Sequence, residues 1–225
     1  ALGAQGVRYW AIASLGERIA NGPPLPRAIA CELLLELLGV LRAAHAAGVT
    51  HRDLKPDNIV LAGGRLCLVD WGVAHVAGET DPFAAMIAGT LTYVAPEQIR
   101  GEPIGAPADI YSLGVLAFRL LCTRAPFAAP TDLQLIKLHL HSPPPRASTA
   151  WPAIPGALDD LIARMLAKDP AQRPGLDEIE DVLQAARQTQ LALGTRPHEK
   201  VPAAARWTPL ALGLARMCSL FGMHS

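Results

Sequence analysis

The stretch His51-Arg52-Asp53-Leu54-Lys55-Pro56-Asp57-Asn58 gathers cationic, carboxylate and amide side chains into one short loop-like segment. Seventeen residues after Asp53 comes Asp70-Trp71-Gly72. Asn58 and Asp70 flank two short apolar runs, so a hairpin between them would set an amide oxygen beside a carboxylate. Such oxygens suit a hard divalent ion such as Mg²⁺, which also takes phosphate oxygens. Asp53 would face the same site and could accept a hydroxyl proton or orient the hydroxyl. Lys55 could neutralise charge on a transferring phosphoryl group. Those are the parts that phosphoryl transfer requires.

The runs Asn58 to Ala62 and Leu66 to Val69, joined by Gly63-Gly64, predict the hairpin. Upstream, Ile29, Leu33, Leu34, Leu37, Leu38 and Leu41 repeat at helical spacing between Arg27 and Ala47, and Gly48 stops the pattern. A long, mostly buried helix therefore delivers the chain to the loop. Before it, residues 7–13 have strand-like content, Ser14-Leu15-Gly16 break that run, and a short helix and the Asn21-Gly22-Pro23-Pro24 loop follow. A polar stretch with Gly and Thr covers 72–92. From Asp109 onward helices are predicted at 109–121, 131–140, 158–167 and 176–188, with Pro-rich connections. A small sheet followed by helices predicts an α+β, mainly helical fold without internal repeats. Residues 189–206, with Thr195-Arg196-Pro197 and Pro202, read as a linker.

The 225 residues are 51% hydrophobic, which excludes global disorder and supplies one good core or two small ones. Lys and Arg number 20 and so do Asp and Glu, so no basic field draws a phosphate backbone and nucleic acid is not an expected partner. Cys31, Cys67, Cys122 and Cys218 lie far apart without metal spacing, as buried thiols in a reducing compartment do. No secretory signal is visible, so a cytoplasmic location is expected, either free or as the cytoplasmic part of a membrane-associated protein. The segment 207–223 is apolar apart from Arg216 and a few Thr and Ser, and is shorter than the ~20 residues of a spanning helix. Leu210, Leu214, Met217 and Phe221 suit one helical face, so an amphipathic tail would pack on the domain, a partner or a membrane surface.

The 51–58 segment resembles the catalytic loop of eukaryotic-like protein kinases, H-R-D-L-x-x-x-N, at all five specified positions. Asp70-Trp71-Gly72 resembles the D-F-G element with Trp for Phe. Gly89-Thr90 and Ala95-Pro96-Glu97 resemble the end of the activation segment, and Asp109-Ile110-Tyr111-Ser112-Leu113-Gly114 the buried helix after it. Asp169-Pro170-Ala171-Gln172-Arg173-Pro174 resembles the late D-P-x-x-R-P. The resemblance covers about residues 7–188, and Lys55 two places after Asp53 is similar to the serine/threonine-specific branch.

This resemblance implies the C-terminal lobe of a bacterial-type serine/threonine protein kinase at 17–188, with a catalytic loop at 51–58 and an activation segment at 70–97. Residues 1–16 would be a remnant of small-lobe strands and hinge, and 189–225 a linker and apolar tail. It implies ATP and Mg²⁺ as cofactors, protein Ser and Thr hydroxyls as acceptors, and autophosphorylation. Asp53 would be the base, Lys55 the γ-phosphate contact, Asn58 and Asp70 the Mg²⁺ ligands. Thr90 would bond near Asp53 and Lys55, while Ala13 and Val60 would meet the adenine. His51 and Gly72 complete their motifs, and Arg52 would pair with a phosphate on Thr80 or, second to it, Thr92. Thr80 reads equally as an unmodified surface residue. Glu97 would pair with Arg173 in the interior. Asp109 would either cap its helix or bond the backbone of the catalytic loop. Trp71 reads as core packing, and His45 as filling space or bonding locally.

A complete kinase also carries a Gly-rich loop and a strand lysine. Gly3-x-x-Gly6 lacks the third glycine and the first lysine is Lys55, so most of the small lobe is expected to be missing. Two other readings stand beside the kinase: a truncated pseudokinase that serves as a docking module, and a small-molecule phosphotransferase. The A-P-E and D-I-Y-S-L-G strings speak against the latter.

Overall fold

In the computed structural model residues 13–62, 65–71, 75–76 and 91–194 are described. The expected strand before Ala13, the Gly63-Gly64 turn, Gly72, Thr80, Gly89-Thr90 and the 207–223 tail lie outside them.

Strand β1 (Ala13–Ser14) runs directly into helix α1 (Leu15–Asn21). Glu17 N–H donates to Ser14 Oγ and Ser14 N–H donates to the Glu17 carboxylate, both at 3.1 Å. This reciprocal cap starts the helix at Leu15. Leu15 and Gly16, expected as a break, are helical, and α1 crosses the expected boundary after residue 16. Helix α2 (Arg27–Ala46) buries Leu33, Leu34, Leu37, Leu38 and Leu41 of the periodic set, and Ile29 is half-buried against the same core. Gly48, at φ 74°, takes the left-handed turn that ends it and leads to β2 (Val49–Thr50).

The 51–58 loop closes in a 3₁₀ turn at Pro56–Asn58, followed by β3 (Ile59–Ala62), β4 (Arg65–Leu68) and β5 (His75–Val76). An antiparallel sheet runs in the order β1-β3-β4, with Ser14 opposite Val60 and Ile59 opposite Leu68. Strands β2 and β5 make a second antiparallel pair.

A 3₁₀ turn at Leu91–Tyr93 precedes α3 (Pro96–Arg100), α4 (Ala106–Cys122), α5 (Asp132–His141), α6 (Gly156–Met165) and α7 (Leu176–Gly194). Fourteen of the seventeen α4 residues are buried, as expected of a helix apolar nearly all round. Helices α2 and α6 pack on it, and α7 lies along α2. A Cβ built on Gly114 would stand 2.8 Å from Met165 Cβ, so only glycine lets α4 and α6 approach this closely.

The helix boundaries depart furthest from expectation at the start of α4 and the end of α7. Gly105 is the N-cap of α4 and Pro107 pre-sets its first turn, so the helix starts at Ala106 and Asp109 lies inside that turn instead of capping it. Helix α7 continues past 188 to Gly194, because no glycine or proline interrupts Leu176 to Leu193. The first part of the expected linker is therefore helix. No helix among the described residues is long and apolar enough to cross a membrane.

Candidate active site

Val69 N–H donates to Asn58 C=O at 2.9 Å, which carries the pairing one step beyond Ile59 and Leu68. Asp70 follows at once, so the hairpin brings Asn58 and Asp70 to the same end. Asp70 adopts φ 61° and is exposed. Asn58 is buried, and its Nδ2 donates to Asp53 C=O at 2.9 Å and to Asp53 Oδ2 at 3.0 Å. With that nitrogen committed, Asn58 Oδ1 faces away from Asp53. Lys55 Nζ meets the same Asp53 Oδ2 at 2.7 Å. Side-chain exposures of 14% for Lys55 and 13% for Asp53 keep the pair within reach of solvent. Leu54 between them is fully buried and roots the loop in the core.

The backbone behind this site is held by a buried carboxylate. Asp109 Oδ2 accepts from His51 N–H and its Oδ1 from Arg52 N–H, both at 2.9 Å. His45 Nε2 lies 2.8 Å from Oδ2, so His45 does not bond locally but reaches across to α4. One carboxylate thus fastens the end of α2, the loop and the first turn of α4. The His51 ring carries its proton on Nε2: Asp53 N–H donates to Nδ1 at 3.3 Å, and Nε2–H donates to Val69 C=O at 3.1 Å. Burial, its main perturbation, holds this imidazole below its ordinary pKa, in keeping with a neutral ring. The Trp71 ring packs edge-on against His51 at 4.5 Å, and Trp71 Nε1 donates to Leu68 C=O at 3.0 Å.

Below the loop, Arg173 Nη1 and Nη2 donate to the two oxygens of Glu97 at 2.6 and 2.7 Å. Arg173 also donates to Pro107 C=O at 2.7 Å and Ala167 C=O at 3.0 Å, which brings four of its five N–H groups to acceptors in an interior where an unpaired charge would be costly. Side-chain exposures are 1% and 2%.

The family model of the protein kinase domain matches residues 7–185. The chain belongs to the protein kinase family. Serine/threonine-protein kinase Pkn1 of Myxococcus xanthus is 40% identical over 159 residues, 68% of this chain and 23% of that protein. PknJ of Mycobacterium tuberculosis is 42% identical over 146 residues, 61% of this chain and 25% of its own. PknL of the same species is 38% identical over 157 residues, 69% of this chain and 39% of its own. The chain therefore spans between 23% and 39% of the length of these relatives. It is of the bacterial serine/threonine type, and its fold is the helix-rich large lobe of a kinase.

In this kinase lobe the hairpin and loop bring together Asp53, Lys55, Asn58 and Asp70. Val60 sits on β3 directly opposite Ser14 of β1, and Ala13 is the residue before it. Arg52 is buried, at 8% exposure. Thr92 is half-buried in the 3₁₀ turn. Among the described residues no cluster of three or more His, Cys, Asp or Glu could hold a metal ion. The Asn58 and Asp70 oxygens instead fit a hard ion that takes its other ligands from phosphate and water. Gln98, which sequence reasoning missed, donates from Nε2 to Arg52 C=O at 2.8 Å and accepts from Ala95 N–H at 3.0 Å. Its place three residues after Ala95, at a helix start with Pro96, is the signal of a capping residue that could have marked it.

Proposed function

We propose that this chain carries the phosphoryl-transfer site of an ATP-dependent protein serine/threonine kinase. The observation behind this reading is the meeting of Lys55 and Asn58 on a single oxygen of Asp53, beside the hairpin end that presents Asp70. With Oδ2 so engaged, Asp53 Oδ1 is the oxygen that accepts or orients the proton of a Ser or Thr hydroxyl. Lys55 meets the charge on the transferring phosphoryl group. Asn58 Oδ1 and Asp70 would hold Mg²⁺, which supplies charge neutralisation on the phosphate oxygens of ATP. Ala13 and Val60 would line the adenine, Thr90 the acceptor side, and Arg52 would pair with a phosphate on Thr80 or Thr92. Protein acceptors follow from the relatives' description as serine/threonine-protein kinases. A cytoplasmic site of action fits the free thiols of Cys31, Cys67 and Cys122.

The test is transfer from γ-labelled ATP with Mg²⁺ to a general Ser/Thr acceptor protein. Asp53→Asn is expected to lower transfer by about 100-fold or more while melting at the wild-type temperature. Equal transfer by the variant removes Asp53 from the mechanism. A folded wild-type chain that transfers no label favours the docking-module reading.

A further inference from the structure

We infer that Gln98 is a positioning residue for Asp53, fixing the peptide unit between Arg52 and Asp53 and tying that carboxylate to helix α3. The inference rests on the phosphoryl-transfer reading above. Arg52 stands at φ 70°, a left-handed conformation that a residue with a Cβ keeps only where its surroundings hold it. The peptide before Arg52 is held by Asp109, which takes the Arg52 N–H at 2.9 Å. The peptide after it is gripped at both ends. Its carbonyl accepts from Gln98 Nε2 at 2.8 Å, and its N–H, that of Asp53, donates to His51 Nδ1 at a long 3.3 Å. Gln98 makes the shorter of these two contacts, and rotation of that peptide plane would swing the Asp53 side chain.

The Gln98 amide is itself oriented. Its Oε1 accepts from Ala95 N–H at 3.0 Å, so Nε2 has one direction in which to point. Helix α3 cannot drift, because the neighbouring Glu97 is gripped by Arg173. Among the described residues, Ala95 and α3 are thus linked to the peptide beside Asp53 through the Gln98 amide.

Gln98→Glu separates the two bonds: it keeps an oxygen for Ala95 N–H and loses the donor to Arg52 C=O. Two readouts are taken on the full chain. One is residue-resolved amide hydrogen exchange by NMR without nucleotide; the other is kcat and the KM for ATP. Gln98→Glu is expected to melt within a few degrees of wild type and to exchange the Asp53 amide at least ~10-fold faster. It should lower kcat by between ~10-fold and ~100-fold with KM changed less than ~2-fold. Should Gln98→Glu fail to fold, Gln98→Met, neutral and without a donor, loses both bonds, and exchange at the Asp53 amide is then read beside that at Ala95. Unchanged exchange at Asp53 overturns the inference, as does faster exchange spread evenly over α3 and the loop. Unchanged kcat in a wild type that transfers label overturns it too. If the wild type transfers no label, the kinase reading fails by itself and exchange at Asp53 still decides the role of Gln98.

Discussion

At the scale of single residues, the four polar groups of the site depend on a carboxylate that never faces it. Asp109 accepts two backbone N–H groups with separate oxygens and is fully buried. Asp109→Asn replaces one of those oxygens by an NH₂ and leaves a buried donor facing another donor, at a cost of about 1–3 kcal/mol. In a domain of this size that corresponds to a melting temperature lower by several degrees, about 2–4 °C per kcal/mol. A thermal melt of the variant within one degree of wild type would contradict it. The meeting of Asp53, Lys55, Asn58 and Asp70 was legible because two short apolar runs about Gly63-Gly64 predict the hairpin that brings its ends together. Gln98 was not, because its partner is a carbonyl 46 residues away and no side-chain pattern advertises a bond to a backbone oxygen. His45 was misjudged for the same reason: its partner Asp109 lies 64 residues on.

Among elements, α3 is short and owes its position to the buried ion pair beneath it. Glu97→Ala leaves the Arg173 guanidinium uncompensated in the interior, so a loss of about 3–5 kcal/mol is expected from denaturant unfolding. A denaturation midpoint equal to wild type would mean that the pair contributes nothing. The long helices were readable from periodicity alone, since α2 buries the same leucines that set its pattern. Their ends were less so. Asp109 resembles a cap in sequence, yet the Gly105-Ala106-Pro107 start sets the helix going three residues earlier. The end of α7 was placed too early because Gln188 to Leu193 is polar enough to pass for linker, while containing nothing that breaks a helix. Close packing of α4 on α6 through Gly114 is a tertiary demand invisible to periodicity.

For the molecule as a whole, a half-buried carboxyl and a buried imidazole pull stability in opposite directions with pH. Burial, and then the neighbouring Glu32 charge, push the Glu36 carboxyl up from 4.5 to about 7. The native state then keeps a proton that the unfolded chain gives up, so stability falls as pH rises from about 4.5 through 7. Glu36→Gln is expected to raise the melting temperature above neutral pH, with the gain closing below about 4.5; a gain independent of pH would refute this origin. His139 works the other way. Burial, then the Lys168 charge, hold it down at about 4 from its usual 6.5, so stability falls as pH drops from 6.5 towards 4. Its ring sits between Tyr111, whose hydroxyl is 2.9 Å from Nδ1, and the Phe127 ring, with Lys168 donating to Leu138 C=O nearby. In the Glu36→Gln background this acid-side loss, to which the buried His51 adds in the same direction, should remain.

The first turn of α4 receives two tethers at once: Asp109 reaches up to the loop, and Pro107 C=O accepts from the arginine that grips α3. Neither tether ends at a surface where it could be released by itself. Among the described residues, the loop therefore shares its anchors with the helices behind it. Releasing the loop as a whole therefore means undoing its contacts with α4 and α3 together, whereas a single peptide, such as the one that Gln98 holds, can loosen by itself.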